Sequence, residues 1–382
     1  MNKRKTGALA SILVSCFLAV LAACSTGRLA GAGSAEAPAP AAPPPSAEEA
    51  APQVSRLPAL PPVGSIPLAA ASSVLARWTG AESATYSLAL EPGGTSIAAS
   101  GEYGEVLLFA ADGRLTRRLP VPGRAAIWGL AWSGDGKALA LASPVAPSLV
   151  VDARTGTALR TGLPYAGCCD IALVPGARAE RLALGGASGM ASIVEAPGWE
   201  EGYEWAACNA GGINGYLVAA AFSPDGRLLA TGGLDFTLSV WHSNDGSLVG
   251  RWVPDTLARR DINGIAWSPD GSRIAATGQD GSLHVYNVDS GLELWGVDFE
   301  GWLRPVSWSS DGRLIATAGE AGRIVVFSAS DGRPLLELPQ RGSPVWALAF
   351  SLDSSVLVSG SGRNGTSGGD TAIVFTAIGD LD

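Results

Sequence analysis

The sequence predicts an all-β fold built from seven repeated units of about forty residues each. Two features of the composition support a turn-rich β protein over a helical bundle: the chain has 50 glycines, and only 16% of its residues are charged. The hydrophobic fraction of 47% is sufficient for a large buried core. A recurring turn motif is the third observation, and it sets the period.

The turn Ser-Pro-Asp-Gly at residues 223–226 has six relatives along the chain. The third residue of the turn lies at positions 93, 135, 176, 225, 270, 311 and 353, so successive turns are 41 to 49 residues apart. A fixed period of this size indicates a repeat architecture, in which each unit buries its apolar faces against its neighbours.

Each unit contains four short apolar stretches separated by turns, as residues 265–297 illustrate. Four-stranded units that are apolar on both faces are typical of the blades of a β-propeller. The last unit ends after its third strand, whereas residues 74–78 resemble the fourth strand at residues 248–252. We therefore predict that residues 74–78 pair with the final blade, closing a seven-bladed ring and removing its open edges.

Aspartates in the second turn of three units carry a resemblance to a known family. Asp235 in "GGLDFTLSVW", Asp280 in "TGQDGSLHVY" and Asp370 in "SGGDTAIVF" resemble the turn Asp of the WD40 family, over about residues 72–382. The resemblance implies that these carboxylates form structural hydrogen bonds across the blade, and that partners bind at the channel face. The chain lacks the Gly-His and Trp-Asp pairs of that family, which implies an incomplete network. Segments such as "NVDSGLELW" also resemble quinoprotein-type repeats, and the subfamily stays open.

The first 23 residues have the order of an export signal: a basic start, an apolar run and small residues before Cys24. Residues 21–24 resemble the lipobox of bacterial lipoproteins, which implies cleavage before Cys24 and acylation of that residue. Ser25 resembles the residue found in lipoproteins sorted to the outer membrane. The alternative is an ordinary secretory signal with an incidental cysteine.

Residues 24–71 form the predicted lipidated N-terminus and linker, and residues 72–382 the propeller. The stretch from residue 30 to about residue 62 is rich in Ala, Pro, Ser and Glu and cannot pack a core. Extended at ~3.1 Å per residue, it could hold the propeller up to roughly 100 Å from a bilayer. Its predicted role is to hold the propeller at a distance from the membrane.

Charge and motif content exclude several functional classes. The formal net charge is -9, and removing a leader with three basic residues lowers it to about -12 (23 basic against 35 acidic residues), which disfavours nucleic-acid binding. We find no metal-spaced histidines and no phosphate loop. The channel-end acids Asp170 and Asp261 are too few for a metal cage. The sequence thus predicts a protein without catalytic residues, metal or cofactor.

Large residues near the channel end of the first strands are candidates for partner binding. Tyr86, Trp128 and Trp346 belong to units that become neighbours when the ring closes, with Arg304 in the unit beside them. Tyr, Trp and Arg dominate the energetics of protein interfaces. The alternative is that these residues pack between blades as core.

A second candidate is the irregular segment at residues 195–214, which accounts for the longest spacing between turns. It contains Trp199, Tyr203 and Trp205, an unusual concentration of aromatics for a connector. We predict either a partner-binding loop at the channel face or a flap that packs over the third unit.

Three cysteines remain after Cys16 and Cys24 in the N-terminal region. In an exported protein they favour a disulfide, which we place between Cys208 and either Cys168 or Cys169. A metal or redox site is the weaker alternative, because adjacent cysteines have poor geometry for joint tetrahedral ligation.

These observations predict a lipoprotein of the bacterial envelope, anchored in the outer membrane by its lipid. We expect a monomeric propeller that acts as a scaffold and binds an unidentified envelope protein or peptide through its channel face. Two alternatives stay open at this level. One is an enzyme or small-molecule or cofactor binder that uses the central channel. The other is a quinoprotein-like factor of outer-membrane assembly.

Overall fold

The structure is a computed structural model, and it describes residues 73–79, 84–101, 104–121, 125–144, 146–163, 171–173, 181–185, 189–195, 200–207, 217–252, 261–299, 301–338, 343–362, 371–379 and 381. The predicted signal peptide, Cys24 and the linker lie outside the described residues. The same holds for Asp170, Trp199, Asp370 and the three cysteines of the predicted disulfide, Cys168, Cys169 and Cys208.

The first four blades are four-stranded antiparallel sheets in which neighbouring strands follow one another in sequence. Blade 1 consists of β2 (Thr85–Leu90), β3 (Ser96–Gly101), β4 (Val106–Ala110) and β5 (Leu115–Leu119). Blade 2 consists of β6 (Gly129–Trp132), β7 (Ala138–Ala142), β8 (Ser148–Asp152) and β9 (Ala158–Leu163). Blade 3 consists of β10 (Ile171–Leu173), β11 (Arg181–Gly185), β12 (Met190–Glu195) and β13 (Glu200–Ala206). Blade 4 consists of β14 (Leu217–Phe222), β15 (Leu228–Gly233), β16 (Leu238–His242) and β17 (Leu248–Trp252).

Blades 5 and 6 repeat this order, and blade 7 takes one strand from the start of the domain. Blade 5 consists of β18 (Ile262–Trp267), β19 (Arg273–Gly278), β20 (Ser282–Asn287) and β21 (Glu293–Asp298). Blade 6 consists of β22 (Leu303–Trp308), β23 (Leu314–Gly319), β24 (Ile324–Ser328) and β25 (Pro334–Leu338). Blade 7 consists of β26 (Val345–Phe350), β27 (Val356–Ser361), β28 (Ala372–Ala377) and β1 (Ser73–Trp78).

The ring closes through β1, which pairs antiparallel with β28. Val74 lies opposite Thr376 and Trp78 opposite Ile373, so the N-terminal strand supplies the outer edge of blade 7. The first strands of successive blades contact one another around the ring, and β2 of blade 1 contacts β26 of blade 7. Both the seven-bladed propeller and its closure by residues 74–78 are confirmed.

Apolar side chains are buried between adjacent blades. Leu238 and Val240 of blade 4 pack with Ile274 and Tyr286 of blade 5 in one such cluster. Trp267 of β18 adds a hydrogen bond to the preceding blade, because its indole N–H donates to the Ala221 carbonyl at 2.8 Å. Each blade buries its apolar side chains against both neighbours, so the stability of one blade depends on the rest of the ring. No helix in the described ranges is long and apolar enough to cross a membrane.

The repeated turn between the first and second strands is held by its own side chains. In blade 4 the Ser223 hydroxyl donates to Asp225 Oδ1 at 2.6 Å, and the backbone N–H of Arg227 donates to the same oxygen at 3.0 Å. These hydrogen bonds, that of Ser223 first, lower the pKa of Asp225. Side-chain contacts of this kind stabilise a tight turn without help from the rest of the fold, which explains why the motif recurs in sequence.

Blade 3 corrects one sequence-based expectation. Residues 200–206 form β13, which pairs with β12 as the outer strand of the blade. The prediction that the whole segment at residues 195–214 is irregular is therefore wrong for this part. In this strand Glu204 is exposed and Trp205 is partly buried, which suits an edge strand with one covered face.

Candidate functional site

A one-residue β-bulge interrupts the first strand of most blades near its beginning. In β2, Thr85 pairs with Gly101 but Ser87 pairs with Ser100, so Tyr86 is the extra residue. In β26, Trp346 is the extra residue in the same way. Equivalent register shifts occur at Val218, at Asn263 and across Arg304 and Pro305. Successive side chains of a strand point to opposite faces of the sheet, and a bulge interrupts this alternation. The side chain of the extra residue is therefore not confined to either face of its blade.

Blade 2 places Trp128 in the same way, immediately before β6. Its backbone N–H donates to the Ala142 carbonyl at 2.9 Å, while the next residue, Gly129, is the register partner of Ala142. Two residues thus face one, as in a bulge. All four residues predicted near the channel end therefore occupy one structural position in blades 1, 2, 6 and 7.

The structure brings these four side chains into contact, and we call them the channel cluster: Tyr86, Trp128, Arg304 and Trp346. The Tyr86 ring lies 5.6 Å from the Trp128 ring and 5.9 Å from the Trp346 ring, measured between centroids. The Arg304 guanidinium carbon lies 5.6 Å from the Trp128 ring centroid and 5.7 Å from that of Trp346. Blades 6 and 2 are not neighbours, so the contact of Arg304 with Trp128 reaches across the channel and closes a ring of side chains.

Members of the channel cluster differ in exposure. Tyr86 is only 6% exposed, whereas Trp128, Arg304 and Trp346 are partly buried. The Trp346 indole N–H donates to the Gly362 carbonyl at 2.7 Å, which fixes the plane of the ring. Tyr86 is therefore buried within the cluster, while the other three side chains keep part of their surface exposed.

The backbone at Arg304 is held by blade 5. The Thr277 hydroxyl donates to the Arg304 carbonyl at 2.9 Å. Gly264 faces the same carbonyl so closely that any side chain at position 264 would collide with it. This close approach requires glycine, and it fixes the start of β22, from which Arg304 reaches the two indoles.

Neutral residues lie at the equivalent positions of blades 4 and 5. Val218 is partly buried, and the Asn263 side-chain amide donates to the Leu303 carbonyl at 3.1 Å.

Asp261 precedes β18, and burial raises the pKa of its carboxyl group to about 6. Among the described residues no group of three or more His, Cys, Asp and Glu could hold a metal ion.

The turn aspartates Asp235 and Asp280 accept hydrogen bonds within their own turns. Asp235 Oδ2 accepts from the Thr237 hydroxyl at 2.9 Å, and Asp280 Oδ1 accepts from the Ser282 hydroxyl at 2.6 Å. Both contacts order the turn between the second and third strands of the blade. Asp370, the third residue of this set, lies outside the described residues.

Trp205 belongs to the packing between blades 3 and 4. Its ring lies 6.0 Å from the Trp241 ring and covers the turn at Gly246 of blade 4. Its predicted place at the channel face is therefore wrong, because β13 is the outer strand of its blade. Tyr203 lies in the same strand, with its side chain outside the described part, and Trp199 is outside it altogether.

The seven sheets, the channel and its cluster define the protein as a seven-bladed β-propeller with an aromatic and cationic channel end. Residues 212–242, 256–287 and 332–366 match the family model described as "WD domain, G-beta repeat". These three ranges are therefore similar to WD40 repeats, and they lie within the seven-bladed fold. A search of curated proteins gave no match.

Proposed function

We propose that this protein is a membrane-anchored envelope lipoprotein that serves as a non-catalytic scaffold and binds a protein or peptide through the channel face of its propeller. The WD40 repeats favour the general role, because propellers of this kind commonly bind proteins. The channel cluster is the observation that supports the location of the proposed binding site. Its accessible members are two tryptophans and an arginine, the residue types in which interface binding energy concentrates.

Rigidity of the channel cluster supports this assignment. Three of the side chains start from the inner strand of a blade and Trp128 from the residue immediately before one, and the cluster is held by contacts among its own members. Aromatic groups fixed before binding lose little conformational entropy when a partner docks. A site on paired strands also keeps its geometry better than a site on loops.

A capture experiment tests the scaffold function. Wild-type protein and a Trp128→Ala, Trp346→Ala variant are crosslinked in the producing bacterium, and captured proteins are compared. We expect a specific partner with the wild type and at least tenfold less with the variant, since each anchor commonly contributes ~2 kcal/mol. Tyr86 is left intact because removing a buried ring would leave a cavity.

The matched control is Leu248→Ala, Val249→Ala, which removes two apolar side chains from β17, where they are 50% and 44% exposed. The control is expected to capture the partner as well as the wild type. Both variants must melt like the wild type to be compared. Equal capture by all three proteins, or no capture by the wild type, would contradict the proposed site.

The anchor is tested separately through Cys24. Metabolic labelling with a palmitate analogue is expected to mark the wild type and not a Cys24→Ala variant, and cell fractionation to recover only the wild type in outer-membrane fractions. Two or three acyl chains give stable anchoring, whereas one alone is marginal. Unlabelled wild-type protein would show that the N-terminus is an ordinary secretory signal and would leave the scaffold function unaffected.

A further inference from the structure

We infer that Arg304 is a carboxylate-binding group, so that the partner of the channel cluster is a peptide carrying a carboxylate. The inference rests on the proposed scaffold function and names the chemistry its site recognises. Arg304 is the single cation among the four members of the channel cluster. Within the part of the chain that the structure describes, no carboxylate pairs with it.

Aromatic contacts hold the Arg304 guanidinium in place without using its hydrogen-bond donors. The two indoles lie 5.6 and 5.7 Å from the guanidinium carbon and attract the cation through their π faces. The N–H donors of a guanidinium lie in its plane and form a fork that fits a carboxylate bidentately. A partly buried guanidinium fixed in this way is ready to accept an anion.

The same contacts argue against a cationic ligand. Three aromatic rings around a cation resemble a cage that recognises ammonium groups. In this propeller the protein's own Arg304 already contacts two of those rings, and Tyr86 lies between them. The aromatic rings already contact the Arg304 guanidinium, whose positive charge would also repel an incoming cation. The site therefore favours an anion.

A carboxylate fits better than a phosphate. Phosphopeptide sites use clusters of arginines to balance about two negative charges. The channel cluster supplies one cation, and the equivalent positions in blades 4 and 5 hold Val218 and Asn263. The Arg304 guanidinium, with one positive charge and one fork of N–H donors, matches the single negative charge of a carboxylate.

The test uses three sets of random nonapeptides on an array. The first set carries a central Asp or Glu and an amidated C-terminus, the second replaces that residue by Asn or Gln, and the third adds a free C-terminal carboxylate to the second. We expect the wild type to retain the first or the third set about tenfold more than the second, as for a hydrogen bond to a charged group. Preference for the first set assigns a side-chain carboxylate, and preference for the third assigns the chain terminus.

Arg304→Gln is expected to bind all three sets equally, whereas Arg227→Gln, the control at an exposed arginine far along the chain, keeps the wild-type preference. If Arg304→Gln fails to fold, Arg304→Lys replaces it, and the preference should fall severalfold because an ammonium lacks the planar fork. Equal binding of the three sets by the wild type, no binding of any set, or an undiminished preference in the folded Arg304 variant would overturn the inference.

The capture experiment separates this inference from the scaffold function. Loss of the captured partner in the Trp128, Trp346 variant and also in Arg304→Gln supports both. Loss in the tryptophan variant with full capture by Arg304→Gln keeps the scaffold and overturns the carboxylate. Capture unaffected by either variant overturns both.

Discussion

Ser354 holds a backbone conformation that glycine holds at the same turn position in five other blades. Its φ is 60°, and the glycines at positions 94, 136, 226, 271 and 312 have φ between 70° and 77°. A left-handed conformation costs a non-glycine residue about 1 kcal/mol. Ser354 offsets this through its hydroxyl, which lies 3.0 Å from the Ser310 hydroxyl and accepts from the Asp311 N–H at 3.2 Å.

Substitutions at Ser354 should separate the two effects. Ser354→Ala keeps the strained backbone and loses the contacts with blade 6, so we expect it to be the least stable form. Ser354→Gly loses the same contacts but relaxes the backbone, and it should exceed Ser354→Ala by roughly 1 kcal/mol in free energy of unfolding. Urea unfolding of the three proteins measures this, and equal stability of the two variants would contradict the strain.

Asp261 gives a pH-dependent prediction at the same scale. Burial raises the pKa of its carboxyl group to about 6, above the value near 3.9 in an unfolded chain. The folded state therefore binds the proton more tightly than the unfolded state. The resulting stability is fully present below about pH 4 and is lost as the pH rises through about 6.

Asp261→Asn removes this ionisation. We expect the variant to melt at a higher temperature than the wild type at pH 7 and at the same temperature near pH 4. Thermal unfolding followed across this range checks the sign. A melting-temperature difference that does not change with pH would show that ionisation of Asp261 does not affect stability.

At the scale of the element, one buried ion pair joins the third and fourth strands of blade 6. Arg323 precedes β24 and Glu337 lies in β25, and they are 8% and 4% exposed. The guanidinium donates through Nε to Oε1 and through Nη2 to Oε2, both at 3.1 Å. The bidentate geometry pairs two charges that are both buried.

Breaking this pair from one side should be more damaging than removing it whole. Arg323→Leu and Glu337→Leu each leave a buried charge, and we expect each to lower the free energy of unfolding by about 3 kcal/mol. The double variant should be more stable than either single variant, because both buried charges are removed together. Denaturant unfolding of the four proteins gives the coupling, and purely additive losses would contradict it.

At the scale of the whole molecule, closure by β1 decides whether the ring behaves as one cooperative unit. Trp78 of β1 lies 5.5 Å from the Phe109 ring of blade 1, and the Arg118 guanidinium lies 5.4 Å from the Trp78 ring. The strand thus covers the edge of β28 and part of the junction between blades 7 and 1. An uncovered edge is a template for aggregation.

Deleting residues 73–78 should therefore cause aggregation or a broad, non-cooperative unfolding transition. The matched control deletes residues 30–62, the Ala/Pro-rich stretch, and should melt like the wild type because that composition cannot pack a core. Calorimetry with light scattering measures both. A protein without β1 that keeps the wild-type melting transition would show that closure contributes nothing to stability.

The fold could be predicted from the sequence because the signals that specify it are local or periodic. Each Ser-Asp-Gly turn is stabilised by neighbours within a few residues, as at Ser223 and Asp225, so the turns are visible as a motif with a fixed period. The closing strand was predictable too, since the last unit lacks a fourth strand and residues 74–78 resemble one.

The construction of the candidate site could not be predicted from the sequence, because it depends on contacts between distant blades. The residue types and the expected ring closure were enough to predict that Tyr86, Trp128 and Trp346 lie side by side. The bulges leave no recognisable pattern in the sequence. The contact of Arg304 with Trp128 leaves none either, because it joins positions 176 residues apart along the chain (304 minus 128). The packing of Trp205 against blade 4 was missed for the same reason. A turn is specified by nearby atoms, whereas a channel is specified by the closure of all seven blades.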